Sequence, residues 1–381
     1  MGQGQILTRG TRTFGALVCA VLGLLSLAWI IRDLDEANET SNLWWSWAIG
    51  SWSWPSGTWG GGFGSGLVDL ALLVLCLFTG VTVVRSPSAA GALGALGAVV
   101  VLLRLPLLWT IQADWLDGAP FPDGFRTRAT LTGWADVLLG LALLVAVAVG
   151  RRPAPPAGQG HTTAPAGYGY PAPLAERPPT VPAPGPGVLA SLFFAGTAAA
   201  IAGWQIYWAQ ERDWDVYKDR ITGDHVLGTV LAPPPAWAAW AVALLALAAA
   251  VAAGRRTDYA RPLGMIVATL ILADGIAITS FLFKLKVVQH FDELPSEGTL
   301  FVLTAFFYVL AGLVALVAMA QRGLRPGEGW PRPGAPGYGA PGGYGYPASP
   351  LGYGPTGPGG GNLPPGTPPP PPMPPSTGSG W

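Results

Sequence analysis

Lysine is almost missing from this chain: Lys218, Lys284 and Lys286 are the only three in 381 residues, against eighteen arginines. All charged residues together make up 11% of the sequence, where soluble domains average about 25%. So little charge cannot cover the two or three soluble domains that the length alone would suggest. Cysteine is equally scarce. Cys19 and Cys76 both fall in apolar runs, so no disulfide framework is legible, and each reads as a small buried hydrophobe. The three histidines are His161, His225 and His290, and they show no metal-ligand spacing. No metal site and no cofactor is expected. P-loop, H-E-x-x-H, G-x-S-x-G and C-x-x-C patterns are all absent, which removes the usual signatures of soluble enzymes. The formal net charge is zero, so no overall field favours nucleic acid. The chain reads as non-enzymatic.

What fills the sequence is apolar run after apolar run, each about twenty residues long. That length crosses a hydrocarbon core of roughly 30 Å as a helix. The expected fold is all-α: a polytopic membrane protein with about eight transmembrane helices, near 12–31, 66–84, 88–109, 131–150, 187–208, 235–254, 262–283 and 299–320. The first run is too long for a signal-peptide core, and no clear cleavage site follows "LAWIIRDLDE". The sixth, "AWAAWAVALLALAAAVAAG", is the weakest by composition, because alanine gains little on insertion. Orientation argues for keeping it. With the N-terminus inside, the arginine stops "GRR" at 150–152 and 254–256 and "QRG" at 321–323 all become cytoplasmic, as the positive-inside rule requires. The expected location is the cell membrane, with both termini cytoplasmic.

The same topology puts fifteen of the seventeen tryptophans on the outer side. Six of them, Trp44, Trp45, Trp47, Trp52, Trp54 and Trp59, crowd into the uncharged segment 42–62 between the first two spans. An indole has an apolar body and one N–H donor, so it favours the wet edge of the bilayer. The segment reads as an interfacial flap on the outer leaflet, bent by Gly and Ser and broken by Pro55. A stacking platform for a sugar or lipid headgroup is the functional version of this reading.

The chain also repeats itself. "GYGYPA" occurs at 167–172 and at 343–348, Trp29 and Trp204 match at a shift of 175, and Pro87 and Pro262 match at the same shift. Two four-helix units follow, 1–152 and 187–322. Four is an even number, so both units face the same way, as a parallel repeat. The linker 153–186 and the tail 323–381 are dominated by Pro, Gly, Ala and Tyr, with little to bury, and read as disordered cytoplasmic arms. "PPGTPPPPPMPP" near the end favours polyproline II, a shape that aromatic grooves on a cytoplasmic partner recognise.

Charges inside spans cost about 2.5–3.5 kcal/mol each at the bilayer centre, so each needs a reason. Asp69, Arg104 and Asp136 sit at similar depth on three helices of one unit, which suggests a buried network, with separate snorkelling to the surface as the other possibility. Asp274 lies near the middle of the seventh span with no basic residue at its depth in its own unit. Thr269, Thr279 and Ser280 are within reach along the helix. Asp274 is either a hydrogen bond between helices or a proton or cation site on a path. The small-residue runs 91–97 and 196–203 are expected to face the bundle interior.

Two roles fit these observations. The first is an anchor or interaction platform in the lipid bilayer, with the Pro-rich arms recruiting partners. The second is a small transporter or channel that uses Asp274.

Overall fold

A computed structural model describes residues 5–37, 39–49, 63–117, 121–153, 180–226 and 228–323. Trp52, Trp54, Trp59, Pro55 and most of the linker and tail lie outside the described residues.

The chain is a multi-pass helical membrane protein. Seven helices are long and apolar enough to cross a membrane: α1 (Arg9–Glu36), α4 (Ala89–Arg104) continued by α5 (Leu107–Thr110), α6 (Phe125–Val149), α7 (Pro184–Glu211), α9 (Pro235–Gly254), α10 (Ala260–Lys284) and α11 (Ser296–Ala320). An eighth apolar helix, α3 (Leu67–Val83), has 17 residues. At 1.5 Å per residue it spans about 25 Å, the short end of the transmembrane range. The outward faces of these helices carry large apolar side chains such as Leu24, Phe78, Val81, Leu131, Val145 and Val317, the surface that lipid requires and water penalises. Two short helices, α2 (Thr40–Ile49) and α8 (Trp214–Thr222), lie in the connections.

Small residues decide how the helices meet. A Cβ added to Gly97 would stand 2.9 Å from the Gly140 carbonyl oxygen, so α4 and α6 touch backbone to backbone. At Gly312 on α11 an added Cβ would be 2.7 Å from Leu272 Cβ on α10. The pairs run antiparallel. Gly23 meets Cys76 while Gly80 meets Cys19, which fixes α3 against α1, and Gly187 meets Ala253 at the start of α7 and the end of α9. Alanine on α9 lets α7 close in far enough for Ser191 Oγ to donate to the Ala250 carbonyl at 2.8 Å. The alanine-rich run that composition marked as weakest is thus a 20-residue helix with the bounds expected of it. The run 196–203 divides: Thr197 and Ala198 are buried, while Gly203 is exposed with nothing within 4 Å of its would-be Cβ.

The two halves share several details. A short strand before the first helix pairs with one after the fourth in each: β1 (Gln5–Leu7) with β2 (Arg151–Pro153), and β3 (Val181–Pro182) with β4 (Arg322–Gly323). Both ends of the stretch read as linker are therefore held in pairing. Trp29 on α1 donates to Thr132 Oγ1 on α6 at 3.0 Å, and Trp204 on α7 donates to Thr304 Oγ1 on α11 at 3.1 Å. Trp29 is a buried residue, so it ties two helices together inside the bundle.

The halves join at defined points. Pro106 has no N–H, so the Leu102 carbonyl four residues earlier loses its helical donor. The Trp237 indole, from α9, donates to that carbonyl at 2.7 Å. Trp109 Nε1 donates to the Thr222 carbonyl at 2.8 Å, and α4 meets the start of α10 where Gly91 rests against Tyr259 and Pro262.

Candidate functional site: an ion cluster and an open cavity

The first half closes around charge. Asp69 is the third residue of α3, and its Oδ2 accepts the Gly66 N–H at 2.7 Å, which caps the helix. Its Oδ1 accepts a hydrogen bond from the Arg104 guanidinium. Arg104 Nε stands 3.2 Å from Asp136 Oδ2, an ionic contact off hydrogen-bond alignment. The remaining nitrogen, Nη1, donates to the Leu231 carbonyl at 2.6 Å. Arg104, Asp69 and Asp136 are all buried. The three charges that share a depth in the sequence are thus one cluster, and its fourth member is a backbone carbonyl from the other half. Arg104 sits on the last turn of α4, where a cation also answers the negative end of the helix dipole.

Beside this cluster lies a further buried carboxylate, on α1. Asp33 is fully buried and accepts from Ser65 N at 2.5 Å, Ser65 Oγ at 2.6 Å, Gly64 N at 3.2 Å and Arg32 Nη1 at 2.7 Å. Asp33 and Asp69 together hold the turn 64–66. An added Cβ on Gly64 would be 2.4 Å from the Trp29 ring, so only glycine fits there. The turn passes its own contact on: Leu231 N donates to the Gly64 carbonyl at 2.9 Å. The signal for Asp33 was present in the sequence. Leu22, Ser26, Trp29, Ile30 and Asp33 recur at helical spacing on the buried face of α1, which runs five residues beyond the expected span end.

Against the second half lies a cavity of about 290 Å³. Its walls come from α7, α8, α9, α10 and α11 and, from the first half, α3 and Leu103 of α4, with α2 and the segment 229–235 completing it. Most of the wall is aliphatic, including Ala71, Leu103, Ile201, Ala238, Val242 and Leu270. Asp274 lines it from the middle of α10, and its side chain is open to the cavity. Asp274 makes no hydrogen bond or ion pair among the described residues. Thr269 and Ser280 instead donate to the carbonyls of Met265 and Ile276 on their own helix, and the buried Thr279 hydroxyl has no partner. A carboxylate in a span with no partner and an open space before it is placed to meet a proton, a cation or water.

The other end of the cavity is cationic. Arg212, just past α7, and Arg220, on α8, both line it. Arg212 lies over the Trp208 ring at 4.5 Å. Arg220 Nε is buried without a hydrogen-bond partner. Burial pulls the Arg220 guanidinium below its ordinary pKa, and the neighbouring charge of Arg212 pulls the same way. Neither arginine pairs with a carboxylate among the described residues, although Glu211, Asp213, Asp215 and Asp219 lie within a few residues. Those acids mask the two cations in a one-dimensional reading. Thr229, whose hydroxyl is also buried and unpartnered, faces the same space.

Of the interfacial tryptophans, Trp44, Trp45 and Trp47 fall within α2. The segment read as a bent flap begins inside the ten-residue helix α2, which is anchored by Leu43 and Ala48, both buried. Trp47 Nε1 donates to the Ser65 carbonyl at 3.1 Å and lines the cavity, and Lys284 Nζ lies 4.9 Å over the Trp45 ring. No protein-family model, curated protein or solved structure matches this chain.

Proposed function

We propose that the protein is a small transporter of the cell membrane whose substrate path runs through the second half, with Asp274 as its intramembrane proton or cation site. The observation that carries this is the open cavity in front of a carboxylate without a partner. A carboxylate kept only for packing would be expected to find a donor on a facing helix, since an unsatisfied polar group in a membrane costs several kcal/mol.

The reading includes a duplicated four-helix unit with eight spans, both copies facing the same way. Three features support it: the matched strand pairs, the Trp29–Thr132 and Trp204–Thr304 bonds, and Gly140 and Gly312 seated against residues 97 and 272. Orientation with both termini cytoplasmic rests on the arginine stops. In that orientation the cavity mouth at Arg212 and Arg220 faces outward. The protein is a carrier in this proposal, not an enzyme.

Proteoliposomes holding a trapped pH dye test it. The full-length protein should dissipate an imposed pH gradient faster than its Asp274→Asn variant at equal reconstitution. Equal rates for the two, at or above the protein-free background, would sink the assignment of Asp274. An additional role as a platform, with the arms recruiting a cytoplasmic partner, rests on the composition of 364–375. Co-purification with and without residues 323–381 decides that role: the same partner set in both samples removes it.

A further inference from the structure

We infer that the cavity takes an amphipathic organic anion, its charged group held between Arg212 and Arg220 and its apolar body lying along the alanine-rich wall of α9. The inference rests on the cavity being the substrate path and names the class of substrate.

Charge is the first part of the argument. Two guanidiniums face one cavity, and neither is neutralised by a carboxylate among the described residues. Like charges lining one space repel, and an anion between them offsets that repulsion. Arg220 has a buried Nε–H with no acceptor, and Thr229 has a buried hydroxyl with none; both line the same space. An oxyanion with several acceptor oxygens, a carboxylate or a phosphate, supplies the acceptors that these groups lack, and the guanidinium fork suits such a partner. Arg212 is held over the Trp208 ring, so part of its orientation is set before a ligand arrives.

Shape is the second part. Below the arginines the wall is Ala238, Ala239 and Val242 from α9, with Ile201 and Leu270 opposite. An inorganic anion would leave this space filled with water against hydrocarbon, at a cost for every square ångström of apolar wall. A ligand with a short alkyl or aryl body removes that cost. The volume of about 290 Å³ is at the small end of ligand pockets, which suits a body of a few carbons to about ten rather than two full acyl chains. Asp274 lies deeper in the same space, so a proton carried there travels beside the anion and offsets its charge.

Octyl phosphate is the probe, with full-length protein in phosphatidylcholine nanodiscs and binding read by equilibrium dialysis. Saturable binding near one molecule per chain is expected. Arg212→Gln with Arg220→Gln should weaken it tenfold or more. Arg128→Gln, which removes a charge from an exposed residue elsewhere, should leave it within twofold. If the double glutamine variant does not fold, two others decide. Arg212→Lys with Arg220→Lys keeps the charge and should still bind, within a few-fold of the wild type. Ala238→Phe fills the wall and should abolish binding. Octyl glucoside displacing the probe as well as octanoate does would overturn the anion assignment. So would tighter binding of octylammonium, full binding to Ala238→Phe, or no saturable binding at all. The transport reading fails separately. Saturable octyl phosphate binding with no Asp274-dependent proton movement overturns transport and leaves the binding site standing, and the reverse result removes the anion alone.

Discussion

The two halves of this bundle are framed alike and filled differently. In both, the first and fourth helices are tied by a tryptophan-to-threonine bond and closed by a short strand pair. Counting from those landmarks, Asp136 stands 172 residues before Tyr308, the interval that also separates Thr132 from Thr304. Arg104 stands 175 before Thr279, the interval from Trp29 to Trp204. The first half therefore places an arginine and an aspartate where the second has a threonine and a tyrosine. The charges of the first half are spent on each other and on the Leu231 carbonyl. In the second half the matching threonine has no partner, the tyrosine lines a cavity, and the one buried-depth carboxylate faces open space.

The largest effect should come from breaking that cluster. Arg104→Leu leaves two carboxylates buried with no cation, and removing one partner of a buried pair costs about 3–5 kcal/mol. Replacing Asp69, Arg104 and Asp136 together with leucine should recover much of that loss, because no unpaired charge remains. Unfolding titrations in mixed micelles would measure both. Equal losses in the single and triple variants would mean that the cluster does not act as a unit. The contrast with the second half can be tested in the same experiment: Thr279→Leu has no ion to strand and should cost far less than Arg104→Leu.

Next come the paired glycines. Gly140→Ala and Gly312→Ala each push a methyl into a neighbouring helix, at 2.9 Å from Val101 Cγ2 and 2.7 Å from Leu272 Cβ. Overpacking of this kind costs about 1–3 kcal/mol. If the halves share a frame, the two losses should agree within about 1 kcal/mol. A large cost at one site with none at the other would break the equivalence.

What the sequence could show of all this follows from what each feature depends on. The long helices were legible because the hydrophobic runs are local, whereas the polar extension of α1 and the short helices α2 and α8 were not. The cluster was legible because three charges in three apolar runs are each costly, and their depths can be counted. The cavity was not, since an empty space depends on which faces of eight helices converge. Leu231 contributes only a backbone carbonyl, which no residue type announces. Arg212 and Arg220 were hidden for a related reason: in "ERDWDVYKDR" they stand among four acids, and only the end of α7 and the turn of α8 bring the two cations to one cavity.

A smaller effect should separate the two tryptophan ties. Trp29→Phe removes the indole N–H and with it the bond to Thr132 Oγ1, at about 1 kcal/mol for a hydrogen bond. Trp204→Phe should cost less, because Trp204 is only partly buried; each threonine keeps its own bond to a carbonyl one turn earlier, Arg128 for Thr132 and Leu300 for Thr304. The same titrations would rank them. The opposite order would mean that the cavity side is the more tightly packed of the two.

The smallest effect on stability should belong to Asp274→Asn. The substitution preserves size and removes only the ability to carry charge. It breaks no hydrogen bond or ion pair among the described residues, so none of the usual mechanisms of large destabilisation applies, and a change within about 0.5 kcal/mol is expected. Its chemistry should change completely. A hydrophobic carbodiimide activates a protonated carboxyl in an apolar setting, and the resulting acylurea is stable enough to locate by mass spectrometry of the digested protein. Asp274 is open to a cavity, so it should be modified readily. Asp69 and Asp136, sealed against Arg104, should not be. Pre-incubation with octyl phosphate should slow the reaction at Asp274 by occupying the same space. If Asp69 and Asp274 are labelled equally, the contrast between a closed half and an open one is wrong. If Asp274→Asn destabilises the protein as much as Arg104→Leu does, the carboxylate has a structural partner and is not a site on a path.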